Sequence, residues 1–327
     1  MADGAPARVP VGAPASRPAS PDAPPASGPS PRVAITTGDP AGIGPEIASL
    51  VEADPAIRAL CTPVLYGPDA AEARRRFSPG AVSAEAGRTA YDSVVAAVRD
   101  ARAGRVDAIG TAPINKAAWA AAGLRWRGHT DLLAHLTDAR DVRMMFHADR
   151  LNVVLATVHV PLAEVPALLT PERIDTTIRL AHAELPRFGV ARPRLALAGL
   201  NPHAGEGGLI GDEEQRTLAP AVERCRASGI DVTGPIPGDA VFRRAVDGEF
   251  DAVIACYHDQ GLIPIKLIAF GEAVNVTLGL PIVRTSVDHG TGFDIAGKGM
   301  ADPSGLLAAV RLAVNLVNTS AGAPASA

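Results

Sequence analysis

Short apolar runs in this chain alternate with longer stretches of helical spacing, and that alternation restricts the fold more than any other feature of the sequence. A strand-like run followed by a helix-like crossover is the unit of parallel sheets, so the chain reads as α/β with a largely parallel sheet. The strand-like runs are residues 33–36, 106–110, 153–158, 195–200, 230–232, 252–257 and 273–278. Helical spacing covers 46–51, 88–103, 115–122, 130–136, 171–185, 212–227, 240–246 and 305–317. The clearest helix, 88–103, sets Tyr91, Val94, Val95 and Val98 on one face and stops at Gly104. Pro45 suits a first helical position, and Asp302 or Ser304 suits the cap of the last helix.

Composition excludes several classes of function. With 327 residues, 47% apolar and 20% charged, the chain can bury a sizeable core, and its length suggests two domains. Its net charge of -4 is unclustered and only 4% of residues are aromatic, which gives nucleic acid little to bind. Cys61, Cys225 and Cys256 lack CxxC spacing, so they read as buried apolar residues in a reducing cytoplasm. Residues 1–31 and 319–327 are rich in Ala, Pro, Ser and Gly and are expected to be disordered tails around a folded unit of 32–318. The first tail lacks a secretory apolar block, and its prolines oppose the amphipathic helix of an organelle transit peptide. No apolar run approaches the roughly 20 residues that span a bilayer.

Three histidines follow strand-like runs: His159 after Leu155-Ala156-Thr157-Val158, His203 after Leu200-Asn201-Pro202, and His258 after Ala255-Cys256-Tyr257. Ligands collect outside the carboxyl ends of parallel strands, so three imidazoles delivered there can converge on one metal. A single histidine in such a place is usually a hydrogen-bonded surface or core residue; three together point to a ligand set. Imidazole suits zinc, cobalt, nickel or manganese, and three protein donors leave positions open for substrate oxygens. Asp259, next to His258, is available to orient its imidazole. His135, His147 and His182 fall in helix-like or polar stretches and read as structural, whereas His289 lies in a loop that could face a cofactor.

A second constellation is anion-binding in character. Gly128-His129-Thr130 precedes a helix, whose free amides, with the hydroxyl and imidazole, would donate to an anion. Lys266, Asn275 and Arg284 stand in otherwise apolar sequence, and with that helix start they fit a phosphorylated substrate. Taken alone, Lys266 could simply snorkel from a sheet edge. Asp239 reads equally as a helix N-cap or a functional acid. The segment from Gly38 through Gly42 and Gly44 to Pro45 is neither GxGxxG nor a P-loop, so phosphate binding and a tight strand-to-helix turn both remain open.

Five segments, in order, closely resemble the 4-hydroxythreonine-4-phosphate dehydrogenase family. They are Gly38 to Glu46, Gly128 to Asp131, Asn201 to Glu206, Tyr257 to Gly261 and Arg284 to Thr291, within a likeness that runs from about Val33 to Val317. The resemblance implies the two-domain isocitrate and isopropylmalate dehydrogenase-like fold, with largely parallel sheets and a cleft between domains. Residues 32–135 and 285–318 would form one domain and 136–284 the other. It implies His159, His203 and His258 as ligands of a divalent metal (zinc, or magnesium, cobalt or manganese) shared across a homodimer interface. His129, Thr130, Lys266, Asn275 and Arg284 would hold substrate, Asp239 and Asp259 would serve catalysis, and Gly38, Gly42, Gly44 and His289 would face NAD or NADP.

The implied reaction is metal-dependent oxidation of 4-phosphooxy-L-threonine to a 3-keto acid that decarboxylates to 3-amino-2-oxopropyl phosphate, a pyridoxal phosphate precursor. The expected partners are a phosphorylated small molecule and a second copy of the chain, in the cytoplasm, with no nucleic acid and no membrane. Alternatives are another 4-phosphorylated sugar acid, threonate or erythronate 4-phosphate, or a non-catalytic metal- or phosphate-binding protein. A more distant branch acts on an aromatic cis-dihydrodiol carboxylate, for which the anion-type helix start at His129 and Thr130 is not needed.

Overall fold

The computed structural model describes residues 30–322. Ten strands, β1 (Arg32–Thr36), β2 (Thr62–Tyr66), β3 (Ala108–Thr111), β4 (Arg143–Ala148), β5 (Leu151–Leu155), β6 (Leu195–Ala198), β7 (Val232–Ile236), β8 (Ala252–Ala255), β9 (Val274–Leu278) and β10 (Val283–Ser286), form one sheet. Their spatial order is β2-β1-β3-β10-β9-β4-β5-β8-β6-β7. Six of its pairings are parallel; β9 is antiparallel to β10 and β4, and β4 to β5. The expected α/β architecture with a largely parallel sheet is thus formed, and the sheet is continuous through both halves of the chain.

The strands read as unbroken apolar runs because both faces are covered. Successive residues alternate sides: Val154 joins the core with Ile174, Ile254 and Val310, while Val153 and Leu155 join the opposite core with Val241 and Ile265. A third cluster packs Val94, Val98, Trp119, Leu132 and Leu133 against Ile109 of β3. β5, β8 and β6 are adjacent and parallel, so their carboxyl ends lie side by side on one edge of the sheet.

Several elements depart from expectation for identifiable reasons. β2 contains Pro63, which removes a ladder donor, and it is one of the two edge strands. Arg143 and His147 interrupt the apolar pattern of β4. Helix His258–Ile268 carries Gly261 and Pro264, residues that oppose helix in isolation. The last helix runs from Ser304 to Gly322, so 319–322 are helical instead of tail; Thr319 and Ser320 hydroxyls donate to Asn315 and Leu316 carbonyls at 2.9 and 2.8 Å. The rest of both expected tails, 1–29 and 323–327, lies outside the described residues.

The glycine-rich segment after β1 packs against the protein's own backbone. Gly38 has φ +68°, and a Cβ there would sit 2.2 Å from the Pro113 carbonyl oxygen; one on Gly44 would sit 2.1 Å from that of Thr37. The geometry supports the tight-turn reading. Gly38→Ala should lower stability by about 1–3 kcal/mol through overpacking and left-handed strain, measured by denaturant unfolding without any ligand. An unchanged midpoint would contradict this.

Candidate functional site

Arg284 lies on β10 with 2% of its surface exposed. Its Nη1 donates to Thr277 Oγ1 of β9 at 3.0 Å and its Nη2 to Thr111 Oγ1 of β3 at 2.7 Å. Its Nε is buried without a partner, and among the described residues no carboxylate pairs with the guanidinium. Burial pushes its pKa down from the usual guanidinium value. Buried charges are ordinarily paired, so an anion here would supply the partner this one lacks.

The neighbouring groups fit that anion. His129 opens helix His129–Thr137, which packs Leu132 and Leu133 on the same core as β3. Its Nε2 is buried and unpartnered. Its pKa lies well below the ordinary histidine value, first through burial and then through the positive charge of Arg284, which keeps the ring neutral. Gly128 precedes it without any side-chain cap, so the first-turn amides of His129 and Thr130 retain free hydrogen-bonding capacity. Asn275 pairs in register with Ser286, two residues past Arg284, and its Oδ1 is also buried without a partner. Strand alternation therefore puts Asn275, Thr277, Arg284 and Ser286 on one face. Lys266 sits on helix His258–Ile268 instead of a sheet edge, and its Nζ donates to the Asp288 carbonyl at 3.2 Å.

The histidine pair lines a cavity of about 230 Å³ with Thr157, Val158, Tyr257 and Asp259. Register pairing of Leu155 with Ala255 brings the two strand ends together, and the His159 and His258 ring centroids are 5.4 Å apart. Asp259 Oδ1 lies 2.7 Å from His258 Nδ1, which leaves Nε2 for a ligand, the orienting role expected of this acid. The His159 pKa is lowered by burial, then by the charges of Lys116 and His258.

His203 occupies an exposed turn beyond β6. Among the described residues of one chain, no group of three or more His, Cys, Asp or Glu side chains could hold a metal ion. Convergence of the three histidines within one chain is therefore not formed. His203 to Gly207 all have left-handed dihedrals, which for the three non-glycine residues costs roughly 3–6 kcal/mol. Asp239 is exposed in the first turn of helix Gly238–Val246, where Pro237 holds the N-cap position, so the capping alternative is excluded. His289 Nδ1 lies 3.0 Å from the Gly290 carbonyl, and Ile43 N donates to the Thr291 carbonyl at 2.9 Å, which joins this loop to the glycine-rich turn. A Cβ on Gly42 would meet that same Thr291 oxygen at 2.7 Å.

Three residues escaped sequence reasoning. Lys116 has its Cε 3.8 Å from where a Gly128 Cβ would lie, and it is one of the charges felt by His159, so it neighbours the helix start and acts on the histidine pair. Gln260 accepts from Cys256 N and donates to the Gly199 carbonyl, both at 2.7 Å, and so ties the ends of β8 and β6 together. Glu214 is buried beneath the His203 turn. Only Gln260 lay inside a motif; the other two carry no spacing signal.

Fold and site together define an α/β protein with an uncompensated buried guanidinium and a pair of imidazoles at strand ends. The family model described as pyridoxal phosphate biosynthetic protein PdxA matches residues 51–313, and the chain belongs to the PdxA family of dehydrogenases. The 4-hydroxythreonine-4-phosphate dehydrogenase of Geobacter metallireducens is 43% identical over 323 residues, covering 88% of this chain and 95% of that protein. The D-threonate 4-phosphate dehydrogenase of Pectobacterium atrosepticum is 42% identical, covering 87% and 98%. The crystal structure of 4-hydroxythreonine-4-phosphate dehydrogenase from Klebsiella pneumoniae superposes with a TM-score of 0.79 at 40% identity, covering 89% of this chain and 99% of that one.

Inorganic phosphate should raise the melting temperature of the native chain, whereas Arg284→Met should lose that response without melting earlier in its absence, because it removes an uncompensated buried charge. Equal stabilisation of both proteins by phosphate would contradict the pocket.

Proposed function

We propose that the chain is an NAD(P)-dependent, metal-dependent dehydrogenase that oxidises 4-phosphooxy-L-threonine at C3. The 3-keto acid formed would decarboxylate to 3-amino-2-oxopropyl phosphate on the way to pyridoxal phosphate. The observation that carries this reading is the buried, counter-ion-free guanidinium of Arg284 beside the neutral imidazole of His129. Arg284, Lys266 and the His129–Thr130 helix start supply donors for a phosphate, and the Asn275 amide adds a further polar contact. With 32–135 and 285–318 as one domain and 136–284 as the other, Arg284 stands at their junction.

The donor chemistry fits a divalent metal. His258 has one ring nitrogen fixed by Asp259, burial favours the neutral form of His159, and neutral imidazole is what a divalent cation requires. His159, His203 and His258 would hold it, zinc being the proposed ion with cobalt or manganese as alternatives, and the all-nitrogen set disfavours magnesium. Such an ion, when bound, supplies Lewis acidity that lowers the pKa of a hydroxyl and polarises a ketone. Since one chain does not assemble three donors, the site is proposed to be completed across a homodimer. Exposed apolar side chains next to the site support this: Leu162 at 65% and Leu209 at 86%, close in sequence to His159 and His203, and Leu267 and Phe270 at 82% and 83%, beyond His258. Asp239 would act from the helix beside the His203 turn. Gly38, Gly42 and Gly44 would shape, with His289, the surface that receives the nicotinamide cofactor.

D-threonate or erythronate 4-phosphate is the second substrate reading, favoured by the similar identity of the Pectobacterium relative. The described pocket recognises the phosphate, which all these substrates share. Three free, buried cysteines and the absence of any membrane-length apolar helix among the described residues are compatible with the cytoplasm.

His203→Ala should abolish metal-dependent cofactor reduction on a panel of 4-phosphorylated acids while leaving the circular dichroism spectrum unchanged. Full activity in that variant would contradict the ligand assignment, and no turnover by the native chain on any member would favour a binding protein.

A further inference from the structure

The left-handed run from His203 to Gly207 does not persist unaided, because each L-residue in it opposes that conformation. Its support comes from Glu214, which is 4% exposed. Glu214 Oε1 accepts from Leu200 N at 2.8 Å and Asn201 N at 2.7 Å, and Oε2 accepts from Asn201 Nδ2 at 2.9 Å. The same Asn201 amide donates to Glu213 Oε2 at 2.7 Å. A Cβ on Gly205 would come within 2.8 Å of Glu214 Oε2, so the carboxylate lies directly under the middle of the turn. Among the described residues no cation pairs with Glu214; three N–H donors carry its charge.

We propose that Glu214 is a positioning residue that fixes the Asn201–Gly207 turn and thereby presents the exposed His203 imidazole to a divalent cation. This rests on the reading of His203 as a metal ligand. Both carboxylate oxygens are needed. An amide in the same place would set its NH2 group against the Asn201 NH2 group, donor against donor, and release one side of the turn.

Zinc binding to the full-length chain, followed by calorimetry, tests this with four proteins: native, His203→Ala, Glu214→Gln and Asn201→Ala. Glu214→Gln should weaken zinc binding about 10–100-fold although it alters no ligand, and Asn201→Ala should lose less. The visible spectrum of the cobalt-substituted protein should change in both, because the His203 donor is displaced. Loss of stability alone would lower the melting temperature yet leave the affinity and cobalt bands of the folded fraction as in the native chain, and that outcome overturns the proposal. Should Glu214→Gln fail to fold, native-like zinc binding by Asn201→Ala would overturn it equally. Native-like zinc binding by His203→Ala would refute the ligand reading itself, a separate failure.

Discussion

A guanidinium buried without a counter-ion among the described residues is the constraint on which the site depends. Removing an ion from water costs several kcal/mol even after the protein relaxes, and two threonine hydroxyls return only part of that. An anion beside Arg284 would recover the remainder, which is the physical basis of the proposed phosphate site. His129 is consistent with this scheme: a protonated imidazole beside Arg284 would add repulsion, whereas the neutral ring keeps a nitrogen available without a second buried charge.

The sheet explains how anion pocket and imidazole pair belong to one chain. β9 and β4, antiparallel in the middle of the sheet, join the parallel group that carries Arg284 to the parallel group whose strand ends carry the histidines. Helix His258–Ile268 then links the two functions physically, with His258 at its start and Lys266 near its end, tied to the loop after β10.

Much of this was legible in the sequence. Histidines after apolar runs could be placed at strand ends because β5, β8 and β6 are apolar on both faces and end abruptly. Lys266, Asn275 and Arg284 stood out because polar residues in apolar sequence need a reason. What escaped was set by tertiary context. Helix His258–Ile268 forms in spite of Gly261 and Pro264 because a Cβ on Gly261 would collide with Val153 and Leu155, so the glycine permits close packing on β5. Glu214 looked like one charge in a polar helix; its burial depends on a turn whose left-handed dihedrals no periodicity reveals. Lys116 belongs to the site only because the helix start at Gly128 folds back beside it.

The most direct measurement compares turnover of 4-phosphooxy-L-threonine with that of the same acid lacking its phosphate, under saturating cofactor and metal. A pocket built on an unpaired buried cation predicts that kcat/KM falls by at least about a thousand-fold without the phosphate, since the site's polar groups are then left unpaired. Equal turnover of the two acids would contradict the account.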